Sequence, residues 1–147
     1  MKHRFIWVGK TKDRNWLALQ DEYLERLSYF VKCGVTEIRD GGGRQKEGER
    51  ILEKLNQSTF ACLLDVKGRS LSSHDLAKEI ENWQRAAHKE VAFVIGGAEG
   101  VSPSVAERAD SVLSLSFLTF THEMVRVVML EQLYRAYTII KGYPYQK

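Results

Sequence analysis

The sequence predicts an α/β fold in which a largely parallel sheet is covered by helices. Strand patterns alternate with helix patterns five times along the 147 residues, which is typical of parallel sheets. The runs Phe60–Val66 and Val91–Ile95 are apolar at nearly every position, which indicates strands buried on both faces. The length suits one domain, residues 1–147, and neither a repeat nor a linker divides it.

Each element follows from local spacing and from residues that end or begin structure. Short β-branched and aromatic runs predict strands at Arg4–Val8, Val35–Arg39, Phe60–Val66, Val91–Ile95 and Val112–Ser116. Apolar residues at helical spacing predict helices at Asn15–Phe30, Gln45–Leu55, Ser72–Ala87, Pro103–Ala109 and from Thr121 or His122 to Lys141. The expected boundary residues are Gly34 and Gly142 at helix ends, Lys67-Gly68 in a turn, and Ser72 and Ser102 as N-caps.

The composition, with 44% hydrophobic and 28% charged residues, is that of a soluble globular protein. No apolar run approaches the length of a membrane span or a signal peptide, so we expect a cytoplasmic protein. Cys33 and Cys62 fit reduced thiols, the histidines are scattered, and no metal site is expected. The net charge is +3, and a group of basic residues weakly indicates RNA contact, although solvated surface explains each one: Lys2, Arg4, Lys10, Lys12, Arg14, Arg44, Lys46 and Arg50.

The last predicted helix is apolar around nearly its whole circumference, from Met124 to Ile140. Its polar positions form one narrow stripe: Glu123, Arg126, Glu131 and Arg135. A helix of this kind must be buried on more than one side. Burial deep in the domain's own core is one explanation, and a homodimer formed through this helix is the explanation we favour.

A glycine-rich turn, Gly96-Gly97-Ala98-Glu99-Gly100, follows directly on a buried strand. In α/β proteins a ligand often approaches bare backbone at such a junction between strand and helix. The spacing differs from the dinucleotide fingerprint G-x-G-x-x-G, and no phosphate-loop Gly-Lys-Ser/Thr follows. A ligand site and a merely tight turn explain the glycines about equally well.

Other candidates flank this turn. Asp65 closes a central strand at its carboxyl end, where it either contacts a ligand or caps a turn. The segment from Leu115 to Phe120 is too apolar for an open loop, so either a flat ligand or the chain's own helices should cover it. His122 and Arg126 lie one helical turn apart and are expected to share a face.

Several short motifs, spread over the whole chain, together resemble the RlmH family of SPOUT-class methyltransferases. They are Val8-Gly9-Lys10, Glu47-Gly48-Glu49-Arg50-Ile51-Leu52, Phe93-Val94-Ile95-Gly96-Gly97-x-x-Gly100, Leu113-Ser114, Met124-Val125-Arg126-Val127, Glu131-Gln132-Leu133-Tyr134-Arg135-Ala136 and Pro144-Tyr145-x-Lys147. The resemblance implies an S-adenosylmethionine-dependent enzyme with a C-terminal trefoil knot, which works as a homodimer. The implied reaction is methylation of N3 of a pseudouridine in helix 69 of 23S rRNA, within the assembled ribosome.

The resemblance also implies the cofactor contacts, which are Leu64, Gly96, Leu115, Ser116, Phe117, Leu118, Thr119 and Phe120. A sulfonium methyl group is already activated, so such an enzyme mainly aligns the nucleophile and excludes water. The imide nitrogen of the base must lose its proton. We expect Arg126, Tyr145 and Lys147 to hold the base and stabilise its anion, with His122 as a second candidate that accepts the proton.

The chain departs from the family pattern at two positions. Thr121 stands where the family has proline, and Gln146 stands where the family has a tail histidine. Glutamine forms hydrogen bonds but does not take up a proton at working pH. Two alternatives therefore stay open: a catalytically impaired SPOUT protein that binds the ribosome or RNA, and a methyltransferase for another RNA such as tRNA.

Overall fold

The computed structural model describes residues 1–145, and Gln146 and Lys147 lie outside the described residues. The elements run in the order β1 (Lys2–Val8), α1 (Arg14–Ser28), β2 (Lys32–Ile38), α2 (Gly43–Glu53), β3 (Phe60–Ser70), α3 (Ser73–Arg85), β4 (Glu90–Ile95), α4 (Pro103–Arg108), β5 (Ser111–Ser114) and α5 (His122–Lys141). The predicted alternation of strand and helix is confirmed.

The strands form one five-stranded sheet in the order β2-β1-β4-β3-β5, and every neighbouring pair is parallel. The strand β1 lies between β2 and β4, so that Trp7 is paired with both Glu37 and Ile95. Because all strands run the same way, their carboxyl ends meet at one edge of the sheet. Connections after β1, β3, β4 and β5 therefore lie close together there.

Helices cover both faces of the sheet, as the apolar strand patterns predict. Alternate residues of β1 point to opposite sides, with Phe5 and Trp7 on one face and Ile6 and Val8 on the other. The first face packs against buried side chains of α1, α3 and α5, and the second against those of α2 and α4. This arrangement confirms the predicted α/β fold class.

The helix α5 packs between α1 and α3 on the first face of the sheet. Leu130, Leu133 and Ala136 are almost fully buried within the chain itself. Burial in the domain's own core therefore explains much of the apolar character of α5. The homodimer stays a prediction.

The boundary between α1 and β2 differs from the prediction. The helix ends at Ser28 with Tyr29 as its C-cap, and β2 begins at Lys32. Gly34, predicted to end the helix, instead lies within the strand and is paired with Arg4 of β1. The prediction was wrong because a glycine also fits an extended strand that gains a parallel neighbour, which local spacing does not reveal.

The predicted turn at Lys67-Gly68 is also wrong, because β3 continues to Ser70. Pairing with β5 shifts register within β3, so that Leu64 and Arg69 both pair with Leu113. A Cβ on Gly68 would lie 2.7 Å from backbone atoms of β5, which is closer than a side chain allows. The glycine therefore marks a bulge where two strands approach closely, rather than a reversal of the chain.

The predicted N-caps are confirmed. The hydroxyls of Ser72 and Ser102 accept backbone hydrogen bonds at the starts of α3 and α4, and Thr121 does the same for α5. Gly48, which weakens the sequence signal for α2, has a packing role. A Cβ there would overlap the Ser102 hydroxyl, so the glycine lets α2 lie close against the start of α4.

Within residues 1–145, no helix combines the length and apolar character needed to cross a membrane. The same part of the chain contains no group of three or more His, Cys, Asp or Glu side chains placed to hold a metal ion. The trefoil knot implied by the resemblance stays a prediction.

Candidate functional site

A cavity of about 460 Å³ opens at the carboxyl edge of the sheet, between the connections that follow β3, β4 and β5. This volume lies within the range of small-molecule sites. Its walls come from the segment around Asp65, from the glycine turn after β4, from the loop before α5, and from His122 and Val125.

The cavity brings together almost all residues that the family resemblance implies as cofactor contacts. Those that line it are Leu64, Gly96, Leu115, Ser116, Leu118, Thr119 and Phe120. The exception is Phe117, whose side chain points into solvent with 81% of its surface exposed and forms no part of the lining. These residues converge because β3, β4 and β5 end at the same edge of the sheet.

Contacts and backbone conformation within the chain explain each glycine of the turn after β4. A Cβ on Gly96 would lie 2.8 Å from the backbone of Gly100, so the turn can close only around a glycine. Gly100 has a φ of +80°, which other residues rarely adopt. On Gly97, a Cβ would lie 3.0 Å from Oε1 of Glu47. The tight-turn explanation therefore accounts for the glycines, and it leaves the backbone bare on the cavity side.

Asp65 both holds the local backbone and lines the cavity. Its Oδ1 accepts a hydrogen bond of 2.9 Å from the Lys67 N–H, within the irregular part of β3 where the register shifts. The half-buried carboxylate also forms part of the cavity wall. The cavity therefore has a negatively charged side.

The loop from Leu115 to Phe120 is held by serine hydroxyls. Ser114 Oγ donates to the Ser116 carbonyl at 3.1 Å, and Ser116 Oγ accepts from the Leu118 N–H at 3.0 Å. Leu118 stays 73% exposed although it lines the cavity. The chain's own helices do not cover this apolar wall, which leaves it open to a flat ligand.

The side chains of His122 and Arg126 point to different environments, contrary to the expectation that they share a face. His122 is exposed at the cavity wall. Arg126 is 1% exposed and points into the core, where its guanidinium donates to the Val8 carbonyl at 2.7 Å and to Thr11 Oγ1 at 2.9 Å. It also lies 4.9 Å from the centre of the Trp7 ring. Burial lowers the pKa of Arg126.

Glu123, which the sequence places in the polar stripe of α5 without a further role, holds the connection between β1 and α1. Its carboxylate accepts 3.1 Å hydrogen bonds from the N–H groups of Lys12 and Asp13. These hydrogen bonds, that from Lys12 foremost, hold the pKa of Glu123 below its usual value. Glu123 and Arg126 together fasten the N-terminal part of α5 to the connection between β1 and α1. An acidic residue in the first turn of a helix is a signal that could have been noticed.

Tyr145 lies along α5 and forms no part of the cavity of its own chain. Its hydroxyl donates to Glu131 Oε1 at 2.9 Å, its ring meets Tyr134 edge-on at 4.8 Å, and the Arg135 guanidinium lies 5.0 Å from the ring centre. Burial, with hydrogen bonds to Tyr23 and Glu131, raises the pKa of Tyr145. Lys147, the other predicted tail group, lies outside the described residues.

Comparisons with known proteins place this architecture in a family. A family described as "Predicted SPOUT methyltransferase" matches residues 1–146. The chain is 41% identical over 153 residues to the ribosomal RNA large subunit methyltransferase H of Desulfotalea psychrophila, and 42% identical over 159 residues to that of Halothermothrix orenii, covering 100% of each chain in both cases. A solved structure of a probable methyltransferase from Bordetella pertussis Tohama I covers 92% of this chain and 95% of its own, with a TM-score of 0.58 and 12% identity, and supports the fold. The chain therefore belongs to the SPOUT methyltransferase family, in the branch whose members are named ribosomal RNA large subunit methyltransferase H.

Proposed function

We propose that this protein transfers a methyl group from S-adenosylmethionine to N3 of a pseudouridine in helix 69 of 23S rRNA, in the assembled ribosome. The observation that carries the proposal is the full-length identity of about 40% to proteins named ribosomal RNA large subunit methyltransferase H, joined to a formed cavity at the carboxyl edge of the sheet. Action on ribosomes places the protein in the cytoplasm.

The lining of the cavity fits S-adenosylmethionine. Apolar side chains of the cavity wall, including Leu118 and Phe120, offer a flat slot for the adenine. Asp65 offers a carboxylate for the positively charged part of the ligand. Bare backbone at Gly96 and Gly97 allows close approach. When bound, the cofactor supplies an activated methyl group, and the chain supplies the position of the acceptor and the exclusion of water.

The residues of the chain must also take a proton from the acceptor nitrogen. His122 is placed at the cavity wall, and within residues 1–145 it is the one histidine that lines the cavity. Tyr145 and Lys147 are proposed to hold the base and stabilise its anion. Arg126 contributes through position, because its guanidinium is engaged with Val8 and Thr11.

In a homodimer, the C-terminal tail of one copy could reach the cavity of the other copy. Tyr145 packs beside Tyr134, which lies nine residues along α5 from Val125 at the cavity wall, and this separation corresponds to about 13 Å of helix rise. The tail is therefore proposed to complete the cavity of a second copy. An aromatic surface beside α5 supports such pairing, since Tyr29 is 80% and Tyr143 is 56% exposed there, next to Phe30 and Tyr134.

A basic surface at the same edge supports an RNA substrate. Gly9 follows β1 and Arg39 follows β2, and these strands end side by side next to β4. The exposed cations that cluster in these connections, here named the basic edge, are Lys10, Lys12, Arg14, Arg39, Arg44 and Lys46. Such a cluster suits the phosphate backbone, which provides affinity without reading sequence.

The proposal is tested by supplying purified protein with S-adenosylmethionine that carries a labelled methyl group. Whole ribosomes, isolated large subunits and bulk tRNA serve as separate acceptors. We expect label in the RNA of whole ribosomes. Label in tRNA alone would favour the alternative substrate, and ribosome binding without transfer or cofactor binding would favour the impaired binder that Gln146 suggests.

A further inference from the structure

Glu47 is a buried carboxylate directly behind the glycine turn of the cavity. The residue lies in α2 and is 9% exposed, and its Oε2 accepts a hydrogen bond of 3.1 Å from the Gly41 N–H. Its Oε1 lies 3.0 Å from the position that a Cβ would take on Gly97. Since Gly97 lines the cavity and has no side chain, the carboxylate is separated from that space by the bare backbone of the turn.

Among residues 1–145, no Lys, Arg or His nitrogen lies within 4.0 Å of the Glu47 carboxylate oxygens. Arg50, one turn along α2, donates instead to the carbonyls of Arg39 and Gly41. Removing a carboxylate from water without a counter-charge is costly. A carboxylate directly behind Gly97 is close enough to attract a cationic ligand bound in the cavity.

We propose that Glu47 provides the counter-charge for the sulfonium of the methyl donor and makes the cavity prefer the donor over its demethylated product. The inference rests on the proposed use of S-adenosylmethionine. The donor carries a positive sulfur, whereas S-adenosylhomocysteine carries a neutral thioether and otherwise offers the same groups. A negative charge in a weakly solvated place attracts the positive sulfur of the donor and has no such attraction for the neutral sulfur of the product.

The charge of Glu47 would affect product release as well as binding of the donor. Once the methyl group has left, the sulfur is neutral and the attraction from Glu47 disappears. The product is then held only by contacts that it shares with the donor. Release of the product is therefore favoured without any movement of the turn.

A purely structural role makes a different prediction. Glu47 also holds Gly41 and packs against Gly97, so its loss could loosen the turn. Glu47→Gln retains an oxygen that accepts the Gly41 N–H and nearly the same shape, but it removes the charge. If shape alone matters, this variant should bind both ligands as the wild type does.

The test is calorimetry of S-adenosylmethionine and S-adenosylhomocysteine binding to the wild type, E47Q, E47D and the control E49Q. Glu49 lies on the same helix but is exposed and paired with Lys46. We expect the ratio of the product Kd to the donor Kd to fall about threefold or more in E47Q, with the product Kd changed by less than about twofold. The ratio should stay within about twofold of the wild type in E47D, which keeps the charge, and in E49Q.

An unchanged ratio in E47Q, equal weakening of both ligands, or a lost preference in a folded E47D would overturn the inference. Failure of E47Q to fold, checked by circular dichroism, would show that the charge serves the fold and would overturn it as well. If the wild type binds neither ligand, the proposal that S-adenosylmethionine is the cofactor is contradicted. If both ligands bind and the ratio is unchanged in E47Q, only the proposed role of Glu47 is contradicted.

Discussion

The guanidinium of Arg126 donates a hydrogen bond of 2.7 Å to the carbonyl oxygen of Val8, which lies 118 residues earlier in the chain. This bond joins the N-terminal part of α5 to the end of β1, beside the strand that carries the glycine turn. Arg126, which the sequence predicts to hold the base, is therefore a buried tie between α5 and the end of β1. Its replacement should affect the fold before the chemistry.

We predict that Arg126→Met lowers the free energy of unfolding by about 3 kcal/mol, because the Val8 carbonyl and the Thr11 hydroxyl lose a charged donor in a buried place. Urea denaturation measures the change. Arg14→Met, at an exposed position of α1, is the control and should change stability by less than about 0.5 kcal/mol. Equal stability of the two variants would contradict a buried tie.

The open apolar wall of the cavity gives a matched pair of variants. Leu118 lines the cavity and Phe117, its neighbour, does not, while both are largely exposed. Leu118→Ser should weaken S-adenosylmethionine binding about fivefold, since ligand contact with an apolar side chain is lost. Phe117→Ser should leave the Kd within about twofold, and calorimetry compares them. A larger effect at Phe117 would show that the cofactor lies elsewhere.

The buried His3 predicts a pH dependence of stability. Burial lowers the pKa of His3 from 6.5 to about 3, and its Nε2 lies 2.8 Å from the Tyr137 hydroxyl. The unfolded chain therefore binds more protons between these pH values, so stability falls as pH falls through this window. From pH 7 to pH 5 the loss from His3 should be about 2 kcal/mol.

Urea denaturation at pH 7 and at pH 5 measures this loss. His3→Gln should remove most of it, although the variant is less stable overall. The exposed His74 provides the control, since His74→Gln should leave the pH dependence unchanged. A pH dependence that survives in His3→Gln would assign the effect to other groups.

The basic edge predicts a strong dependence of ribosome binding on salt. The triple variant K10Q/K12Q/R44Q should reduce the slope of log Kd against log salt by about two to three, because each cation that contacts a phosphate releases one counterion. Filter binding at several salt concentrations measures the slope. The control K32Q/K89Q removes two exposed cations near the opposite edge of the sheet, where β2 and β4 begin. An equal reduction in the control would place the RNA elsewhere.

The tail predicts a separation of transfer from cofactor binding. Deletion of the last three residues, which include Tyr145 and Lys147, should abolish methyl transfer and leave the S-adenosylmethionine Kd within about threefold, because Tyr145 does not line the cavity of its own chain. Radiolabel transfer and calorimetry measure the two quantities. Unchanged turnover would end the proposed role of the tail. A faster rate in Gln146→His would identify the departure at this position as a catalytic deficit.

The fold class could be predicted because its signals are local. Alternating strand and helix patterns and the caps at Ser72 and Ser102 depend on residues within a few positions of each other. The location of the site could be predicted because parallel strands end at one edge, which brings Asp65 and the turn at Gly96 to the same side of the sheet, whereas the individual cofactor contacts rest on the family resemblance.

Other features depend on which elements become neighbours, and sequence patterns do not report that. The bulge at Gly68 exists because β5 lies against β3, and the inward direction of Arg126 follows from the Val8 carbonyl being within reach. In the sequence, nothing distinguishes Glu47 from a surface residue of α2. Only the structure shows that its carboxylate lies against Gly97. These are the contacts for which a structure was needed.

The reaction proposed for this protein is methylation of N3 of a pseudouridine in helix 69 of 23S rRNA. Mass spectrometry of ribosomal RNA from cells with and without the protein tests it most directly. We predict one methyl group at that position in the presence of the protein, its loss in the absence of the protein, and its return when purified protein and S-adenosylmethionine are added to the deficient ribosomes. An identical map of methyl groups in both kinds of cell, or a methyl group that is lost from another RNA, would contradict the claim.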